Sequence, residues 1–408
     1  MSLPILHSSP DDAPTVKRPA TQGQSDMFMA AEEPEEYKAP EFQVKSGSTL
    51  RLTQGEAPIV YESRLTHEEE RARLSKKKVI FILPTDFRTD TKLPTGLKHY
   101  IPPLGVLYLA SCLREIGVSV KIIDMQVELE GEVATEENVR KVIQRENPDW
   151  VGVGATIINW DAAVETMRLA KDIFPHTKIF AGGPHITALG TDALEKVPVI
   201  EFVINGEGEE VAPALLRESV QDHPDYSRVR GLIYKTGENA YTSTGYNMFL
   251  RDLNKIPFPA WDLVKLDKYS LSPLMQFQSG RSVNMISSRG CVFSCIFCDH
   301  GVRGSGWRAR SPENVVAEFK YLHSLGVRNV WLVDDLFTVS RKRVQEICDL
   351  MLKEKIDISW SCQARVDCVD EPTLLKMKQA GCKLISYGVE SGNDRVLAFI
   401  KKRLNKQK

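Results

Sequence analysis

The sequence predicts an α/β protein in which a doubly wound domain is followed by a second domain of repeated βα units. Two series of short, nearly continuous apolar segments alternate with helical patterns, as is typical of parallel strands that are buried on both faces. The first series occupies residues 77–222 and the second begins at residue 281. Residues 223–280 between them are rich in proline and glycine, which indicates a linker. A chain of 408 residues is long enough for two or three domains.

Composition excludes several classes of protein. Hydrophobic residues make up 42% and charged residues 26%, which is ordinary for a globular protein. The 53 Lys and Arg residues nearly balance the 54 Asp and Glu residues, which argues against a general nucleic-acid-binding protein. No apolar run approaches the roughly 20 residues of a membrane span, and residues 1–10 lack the pattern of a secretion signal. Eight cysteines are too few for a disulfide scaffold, so we expect a cytoplasmic protein with reduced thiols.

The N-terminal residues 1–76 lack apolar periodicity. They contain scattered Pro, Ser, Thr and Gln and an acidic stretch over residues 31–36. Because little apolar surface is available to offset the entropy of ordering, we predict a disordered tail over residues 1–76. The alternative is a docking segment.

The first predicted domain, residues 77–222, alternates five strands with helices. One helix follows Pro102-Pro103 and ends at Gly117, and another begins at Trp160 and ends before Pro175. The predicted strands are Val79–Leu83, Val120–Asp124, Trp150–Gly154, Lys178–Gly182 and Phe202–Asn205. This order predicts a Rossmann-like or flavodoxin-like domain. In the linker that follows, we predict one hairpin, between residues 231–234 and 240–242, and otherwise little regular structure.

The second predicted domain, residues 281–408, has well-marked helix ends. Ser311-Pro312 and Ser340 are expected to begin two helices, and Pro372 opens a third that ends at Gly381. A fourth helix is predicted at about residues 393–402. The predicted strands are Val283–Ser287, Asn329–Asp334, Ile358–Cys362 and Lys383–Gly388.

Three cysteines follow the first strand of this second domain. Cys291, Cys295 and Cys298 have the spacing C-x3-C-x2-C. Thiolates are soft ligands that suit iron–sulfur clusters and zinc. Three of them can hold three corners of a [4Fe–4S] cluster and leave one iron open to a small molecule. The alternatives are a zinc site completed by His300 or Asp299, or plain buried cysteines, which is the default for the thiols elsewhere in the chain.

This cysteine motif resembles the signature of radical S-adenosylmethionine enzymes. The resemblance implies a partial (β/α) barrel with a [4Fe–4S] cluster whose open iron binds S-adenosylmethionine. Reduction of the cluster then cleaves the cofactor to a 5′-deoxyadenosyl radical, while the protein supplies positioning and excludes solvent. A small-molecule substrate and a reductant protein of the flavodoxin or ferredoxin type are expected partners.

The same resemblance implies further residues that bind S-adenosylmethionine. Many members of the family carry Gly-Gly-Glu after the second strand, where this chain has Asp334-Asp335, so Asp335 or Asp334 is expected to receive the amino group of the cofactor. Glu390 and Ser391, in a Gly-Val-Glu-Ser-Gly segment after the fourth strand, are expected to lie close to the cofactor. Arg365 is a candidate partner of the methionine carboxylate. The alternatives are a solvent-facing carboxylate or turn cap for the aspartates and a surface salt bridge for Arg365.

Loops after strands three to five of the first domain predict a bound ligand, because ligands of open α/β sheets lie at the carboxyl ends of the strands. Thr156 follows strand three, Gly182 and Gly183 end strand four, and Asn-Gly-Glu-Gly-Glu follows strand five at residues 205–209. The glycine pair would let a bulky ligand approach the backbone, and Thr156 could hydrogen-bond to it. By composition alone, a nucleotide, a flavin and cobalamin all fit.

The order of the domains resembles the cobalamin-binding subgroup of the radical S-adenosylmethionine family. The resemblance is close to the branch that contains the anaerobic magnesium-protoporphyrin monomethyl ester cyclase and several carbon methylases. Cobalamin modules often carry Asp-x-His-x-x-Gly after strand one, but residues 84–90 contain no histidine. His99 is the only nearby candidate, and it lacks this motif. We therefore expect cobalamin without a histidine ligand on cobalt.

These features predict a cobalamin-dependent radical enzyme that modifies an unactivated carbon, most simply by methyl transfer. The alternatives are an anaerobic oxidative cyclase and a cofactor-binding fragment without turnover. Residues 281–408 provide room for about four of the six βα units of the family's barrel. We therefore expect a truncated barrel in which the fourth strand is an exposed edge, which favours aggregation.

Overall fold

A computed structural model describes residues 61–85, 101–237, 240–246, 249–298, 306–404 and 407. The predictions made for residues 1–60, His99, Asp299 and His300 fall outside these described residues.

Seven strands form the first sheet. They are Lys78–Leu83 (β1), Ser119–Asp124 (β2), Trp150–Gly154 (β3), Lys178–Gly182 (β4), Phe202–Ile204 (β5), Leu232–Gly237 (β6) and Ala240–Ser243 (β7). Their spatial order is β2-β1-β3-β4-β5-β6-β7. The first five run parallel in the flavodoxin-like order 2-1-3-4-5, which confirms the predicted doubly wound domain.

Helices cover both faces of this sheet. They are His67–Leu74 (α1), Leu104–Glu115 (α2), Met125–Glu128 (α3), Glu136–Ile143 (α4), Trp160–Ile173 (α5), Pro184–Leu189 (α6), Thr191–Lys196 (α7) and Gly208–Ser219 (α8). One face packs Leu107 of α2 and Leu215 of α8 into a core with Phe81 of β1. The opposite face packs Val139 of α4 and Met167 of α5 into a second core. Burial of both faces explains why the strands are apolar without alternation.

The predicted disordered tail is wrong over its last part, because α1 is folded. Thr66 and Glu69 form a capping box at its start, with the Thr66 side chain accepting from the Glu69 backbone. Leu74 is buried in the first core, and Arg217 of α8 donates to the Glu70 carboxylate at 2.9 Å. With a single buried apolar residue, the helix is attached mainly by polar contacts, which apolar periodicity does not reveal.

The predicted hairpin is confirmed, but it belongs to the first sheet. β6 pairs antiparallel with β5, with Phe202 opposite Tyr234. Leu232 and Ile233 are buried, so the hairpin extends the core of the first domain. The prediction of little regular structure therefore holds only for the rest of the linker, where residues 249–280 form short 3₁₀ turns.

The second domain contains a four-stranded parallel sheet and a short ribbon. Its elements are the strands Arg281–Met285 (β8), Ser288–Arg289 (β9), Arg308–Ala309 (β10), Val327–Leu332 (β11), Ser359–Ala364 (β12) and Cys382–Tyr387 (β13), and the helices Pro312–Ser324 (α9), Arg341–Lys353 (α10), Glu371–Gln379 (α11) and Asp394–Phe399 (α12). The sheet order is β13-β12-β11-β8, while β9 and β10 pair with each other. All four predicted strands are present, with ends that differ from the prediction by one or two residues. Within the described residues, β13 is an edge strand, as expected.

The linker joins the two domains into one core. Trp261 is buried in the cluster that contains both Leu107 of α2 and Val283 of β8. The backbone amide of Ala260 donates to the Leu107 carbonyl at 3.1 Å. This packing fixes the carboxyl edge of the first sheet relative to the start of the second domain. None of the described helices has the length and apolar character needed to cross a bilayer.

Candidate functional site

The three cysteines lie on one loop that leaves the ribbon β9–β10. We call residues 290–298 the cysteine loop. Cys295 is buried, Cys291 is partly buried and Cys298 is exposed. The backbone amide of Cys298 donates to the Cys295 carbonyl at 3.2 Å. Across the described residues, no three His, Cys, Asp or Glu side chains are gathered into a preformed metal site. The structure thus brings the three thiols onto one short loop without gathering their sulfur atoms.

Two aspartates hold the backbone that leads into the cysteine loop. Asp334 is fully buried, and its Oδ1 accepts from the Ser287 amide at 2.7 Å. Its Oδ2 accepts from the hydroxyls of Ser287 and Ser288 at 2.6 and 2.5 Å. Asp335 is partly exposed and accepts from the Gly290 amide at 2.9 Å. Of the predicted pair, only Asp335 is partly exposed beside the cysteine loop, whereas Asp334 supports the turn from within.

A buried arginine, which sequence reasoning missed, supports the same turn. Arg343 of α10 donates to the Ser287 carbonyl at 2.8 Å and to the Arg310 carbonyl at 2.9 Å. Burial and the nearby charge of Arg310 lower the pKa of Arg343 to about 10, against the opposing effect of Asp334. The negative charge of Asp334 therefore partly offsets the cost of burying the Arg343 guanidinium.

Arg365 reaches the cysteine loop through an aromatic ring. Its guanidinium lies 3.6 Å from the centre of the Phe293 ring, which is a cation–π contact. It also donates to both carboxylate oxygens of Asp367, at 3.0 and 3.1 Å, and to the Lys402 carbonyl at 2.8 Å. Within the described residues, its Nη1 atom is buried without a hydrogen-bond partner. A buried arginine with an unused donor beside the loop differs from the surface salt bridge considered above.

Glu390 and Ser391 lie on the segment after β13, which approaches the same loop. Glu390 has a φ of +60°, and its carboxylate accepts from the Lys402 ammonium at 2.8 Å. Lys402 in turn lies 5.8 Å from the centre of the Phe297 ring in the cysteine loop. A Cβ at Gly388 would lie 2.7 Å from the Glu390 carboxylate, which is the end of a flexible side chain and could move to make room. The Ser391 hydroxyl accepts from the Asn393 amide, which is a local turn contact.

The predicted ligand edge of the first domain combines a polar turn at Thr156, two exposed isoleucines and the glycine pair. The amide and hydroxyl of Thr156 both donate to the Asn159 side chain, at 2.7 and 3.0 Å. Ile157 and Ile158 beside it are 75% and 94% exposed. They form an exposed apolar surface of the kind that often marks a binding site. Gly183 has a φ of +95°, and a Cβ there would lie 2.9 Å from the Ala155 carbonyl oxygen. The fold itself therefore requires Gly183, whereas a Cβ at Gly182 would make only ordinary contacts.

Acidic residues after β5 contact the base of the cysteine loop. Glu207 and Glu209 form ion pairs with Arg289 of β9, and Glu207 also pairs with Arg308 of β10. Sequence reasoning named the acidic segment but assigned no role to either arginine. The carboxyl edge of the first sheet therefore lies next to the base of the cysteine loop.

Comparison with known proteins identifies the family of this chain. A family model described as "B12 binding domain" matches residues 95–216, and one described as "Radical SAM superfamily" matches residues 285–408. An uncharacterized methyltransferase of Pyrococcus horikoshii is 32% identical over 81% of this chain and 69% of its own length. The chain belongs to the cobalamin-binding radical S-adenosylmethionine family. This confirms the predicted family, fold class and order of domains.

Other relatives include both methylases and cyclases. The anaerobic magnesium-protoporphyrin IX monomethyl ester cyclase of Rubrivivax gelatinosus is 29% identical over 74% of this chain and 54% of its own length. Among solved structures, OxsB with aqua-cobalamin and S-adenosylmethionine matches 81% of this chain and 46% of its own, with a TM-score of 0.65 and 20% identity. TsrM of Kitasatospora setae matches 79% of this chain and 60% of its own, with a TM-score of 0.60 and 15% identity. The chain thus spans about half of the cyclase and of OxsB.

The residues of the site fit the cofactors of this family. Three thiols on one loop suit an iron–sulfur cluster, and the unused Nη1 of buried Arg365 is a donor for a carboxylate. Exposed Ile157 and Ile158 provide apolar surface for a large ring at the edge of the first sheet. No described heavy atom lies within 4 Å of a Cβ built on Gly154, so the end of β3 has room for a ligand.

Proposed function

We propose that this protein is a cobalamin-dependent radical S-adenosylmethionine methylase that modifies an unactivated carbon of a small molecule. The observation that carries the proposal is the contact between Glu207 and Glu209, at the carboxyl edge of the first sheet, and Arg289 at the base of the cysteine loop. This contact brings the expected cobalamin edge next to the expected cluster. Radical methyl transfer needs both cofactors near one substrate carbon.

In this proposal, Cys291, Cys295 and Cys298 hold a [4Fe–4S] cluster. When bound, the cluster supplies the electron that cleaves S-adenosylmethionine, and cobalamin supplies the methyl group. The C-x3-C-x2-C spacing supports this ligand set, and Asp335 holds the Gly290 amide immediately before Cys291. The Ile296 amide donates to the Ile400 carbonyl at 3.2 Å, which ties the middle of the loop to the end of α12.

The residues around the cysteine loop bind and orient S-adenosylmethionine in this proposal. The Arg365 Nη1 donates to the methionine carboxylate, and the Asp335 carboxylate accepts from the amino group. Arg365 is suited to this task because Asp367 and Phe293 fix its guanidinium plane before any ligand arrives. Glu390 and Ser391 line the approach from the β13 side.

In the first domain, we propose that cobalamin lies on the edge formed by Thr156, Gly182 and Gly183, with no histidine on cobalt. The apolar side chains of Ile157 and Ile158 exclude water from the ring. Electron paramagnetic resonance of the Co(II) form tests the ligation, since nitrogen superhyperfine splitting from a histidine would refute it. We also propose a cytoplasmic location and a flavodoxin-type or ferredoxin-type reductant.

A cyclase is the second candidate, because several curated relatives carry that name. S-adenosylmethionine with a trideuterated methyl group separates the two reactions under anaerobic, reducing conditions. A methylase forms S-adenosylhomocysteine in addition to 5′-deoxyadenosine and transfers deuterium to its product. A cyclase forms 5′-deoxyadenosine without S-adenosylhomocysteine. Absence of both compounds would refute the proposal of a radical enzyme.

A further inference from the structure

The two domains are joined by a buried group of charges that lies at the base of the cysteine loop. We call Glu207, Glu209, Arg289 and Arg308 the interdomain ion cluster. All four side chains are at most 12% exposed. The two arginines lie directly opposite each other in the ribbon β9–β10, so they project from the same side of it. The chain between them carries all three cysteines of the motif.

Glu207 is the central member of this cluster. Its Oε1 and Oε2 accept from the two terminal nitrogens of Arg308 at 2.7 and 2.8 Å, a bidentate pair. Oε1 also lies 3.3 Å from Arg289, and Oε2 accepts from the Leu250 amide at 2.9 Å. The linker residue Leu250 closes the arrangement, because its carbonyl accepts from Arg308 at 2.7 Å. One carboxylate therefore contacts both strands of the ribbon and the linker.

Glu209 and two aromatic rings complete the surroundings of the arginines. Glu209 pairs with Arg289, whose guanidinium lies 5.7 Å from the centre of the Tyr108 ring in α2. The guanidinium of Arg308 lies 4.9 Å from the centre of the Phe249 ring. Burial opposes ionisation of Glu207, yet the hydrogen bonds and charges of the two arginines hold its pKa below the usual range. The cluster is thus balanced in charge and well hydrogen-bonded, which buried ions need in order to be tolerated.

We propose that Glu207 is a positioning residue that fixes the base of the cysteine loop against the carboxyl edge of the first sheet. The ribbon closes the loop with only two residue pairs, which is too short to be stable on its own. Asp334 holds Ser288 at the start of the ribbon, while the paired arginines Arg289 and Arg308 are held by the carboxylate that the first domain supplies. If the proposed function is correct, this positioning keeps the two cofactor sites at a fixed separation during catalysis. Only this consequence rests on the proposed function.

Hydrogen exchange of the full chain without cofactors tests the positioning itself. Glu207→Gln removes the charge at nearly constant shape, and Glu210→Gln removes the next exposed carboxylate of α8 as a matched control. We expect Glu207→Gln to raise exchange at residues 288–291 and 308–310 by about tenfold or more, because local opening of the ribbon becomes easier. Glu210→Gln should leave these amides unchanged, and Glu207→Asp, which keeps the charge, should give an intermediate value.

Equal exchange in Glu207→Gln and Glu210→Gln would overturn the inference, as would a uniform increase over both domains. If Glu207→Gln fails to fold, Glu207→Asp must show the same local pattern, and a uniform pattern in that variant would overturn the inference.

The consequence for catalysis is measured separately, in the reconstituted enzyme, as the ratio of 5′-deoxyadenosine to deuterated product. Glu207→Gln should raise this ratio, and an unchanged ratio would overturn the catalytic consequence. Because the exchange experiment needs no cofactor, its result stands whether or not the proposed reaction is correct.

Discussion

Replacing Asp334 with alanine should destabilise the second domain strongly. The fully buried carboxylate accepts three hydrogen bonds, from the Ser287 amide and from the hydroxyls of Ser287 and Ser288. Its removal leaves the buried guanidinium of Arg343 without its nearby compensating charge. Leaving a buried hydrogen-bond donor without a partner costs about 1–3 kcal/mol. The serine hydroxyls can rotate toward other acceptors but the Ser287 amide cannot, so we expect a loss of about 3 kcal/mol in the free energy of unfolding from this amide and the uncompensated Arg343 charge together.

Urea unfolding of the cofactor-free chain, followed by tryptophan fluorescence, measures this loss. The matched control is Asp335→Ala, which removes one neighbouring carboxylate that is partly exposed and accepts from the Gly290 amide. We expect the free energy of unfolding of the control to fall by only about 1 kcal/mol. If Asp334→Ala lowered the free energy of unfolding by less than about 1 kcal/mol, or by no more than the control does, the buried carboxylate would not support the turn as described.

Three further predictions concern other parts of the molecule. Gly152→Ala should lower the free energy of unfolding in urea by about 1–3 kcal/mol, because the new Cβ would lie 2.6 Å from the ring of Phe81. Gly154→Ala should be nearly neutral, because no described heavy atom lies within 4 Å of its Cβ. Equal losses in the two variants would contradict the packing of β3. Because the folded-state pKa of Glu207 is lowered, its stabilising effect is present above the ordinary value of 4.5 and is lost as pH falls through the folded value. The difference in unfolding free energy between wild type and Glu207→Gln should therefore shrink below about pH 4.5, and a difference that is constant with pH would refute this. Arg365→Lys keeps the charge but loses the planar contact with the Phe293 ring and the paired hydrogen bonds to Asp367. It should weaken binding of S-adenosylmethionine to the reconstituted protein by about tenfold, measured by equilibrium dialysis. Unchanged binding would show that Arg365 does not contact the cofactor.

The fold could be predicted because its strands are buried on both faces. Runs such as Val79–Leu83 and Trp150–Gly154 are apolar throughout, so the parallel sheet is visible in the sequence without any knowledge of contacts. The segment from His67 to Leu74 was mispredicted because only Leu74 among its apolar positions is buried. Its capping box at Thr66 and Glu69 was the signal that could have revealed it.

The candidate site was predictable only where its chemistry is local. The spacing of Cys291, Cys295 and Cys298 lies within one loop, so their shared role could be inferred directly from the sequence. The ion pair between Glu209 and Arg289 joins residues that are 80 positions apart, and no local pattern couples them. Likewise, the burial of Arg365 depends on Phe293 and Lys402, which approach it from separate segments. Long-range contacts of this kind are set by the packing of the two domains.

The most direct test of the account is a metal and cobalamin analysis of the anaerobically reconstituted chain. We expect about four irons, four sulfides and one cobalamin per chain. Cys295→Ala should lose the iron and keep the cobalamin, while Cys348→Ala, which removes a buried thiol of α10 away from the cysteine loop, should keep both. Stoichiometric zinc in place of iron, or a wild-type chain that retains no cobalamin, would contradict the claim that one chain holds both cofactors.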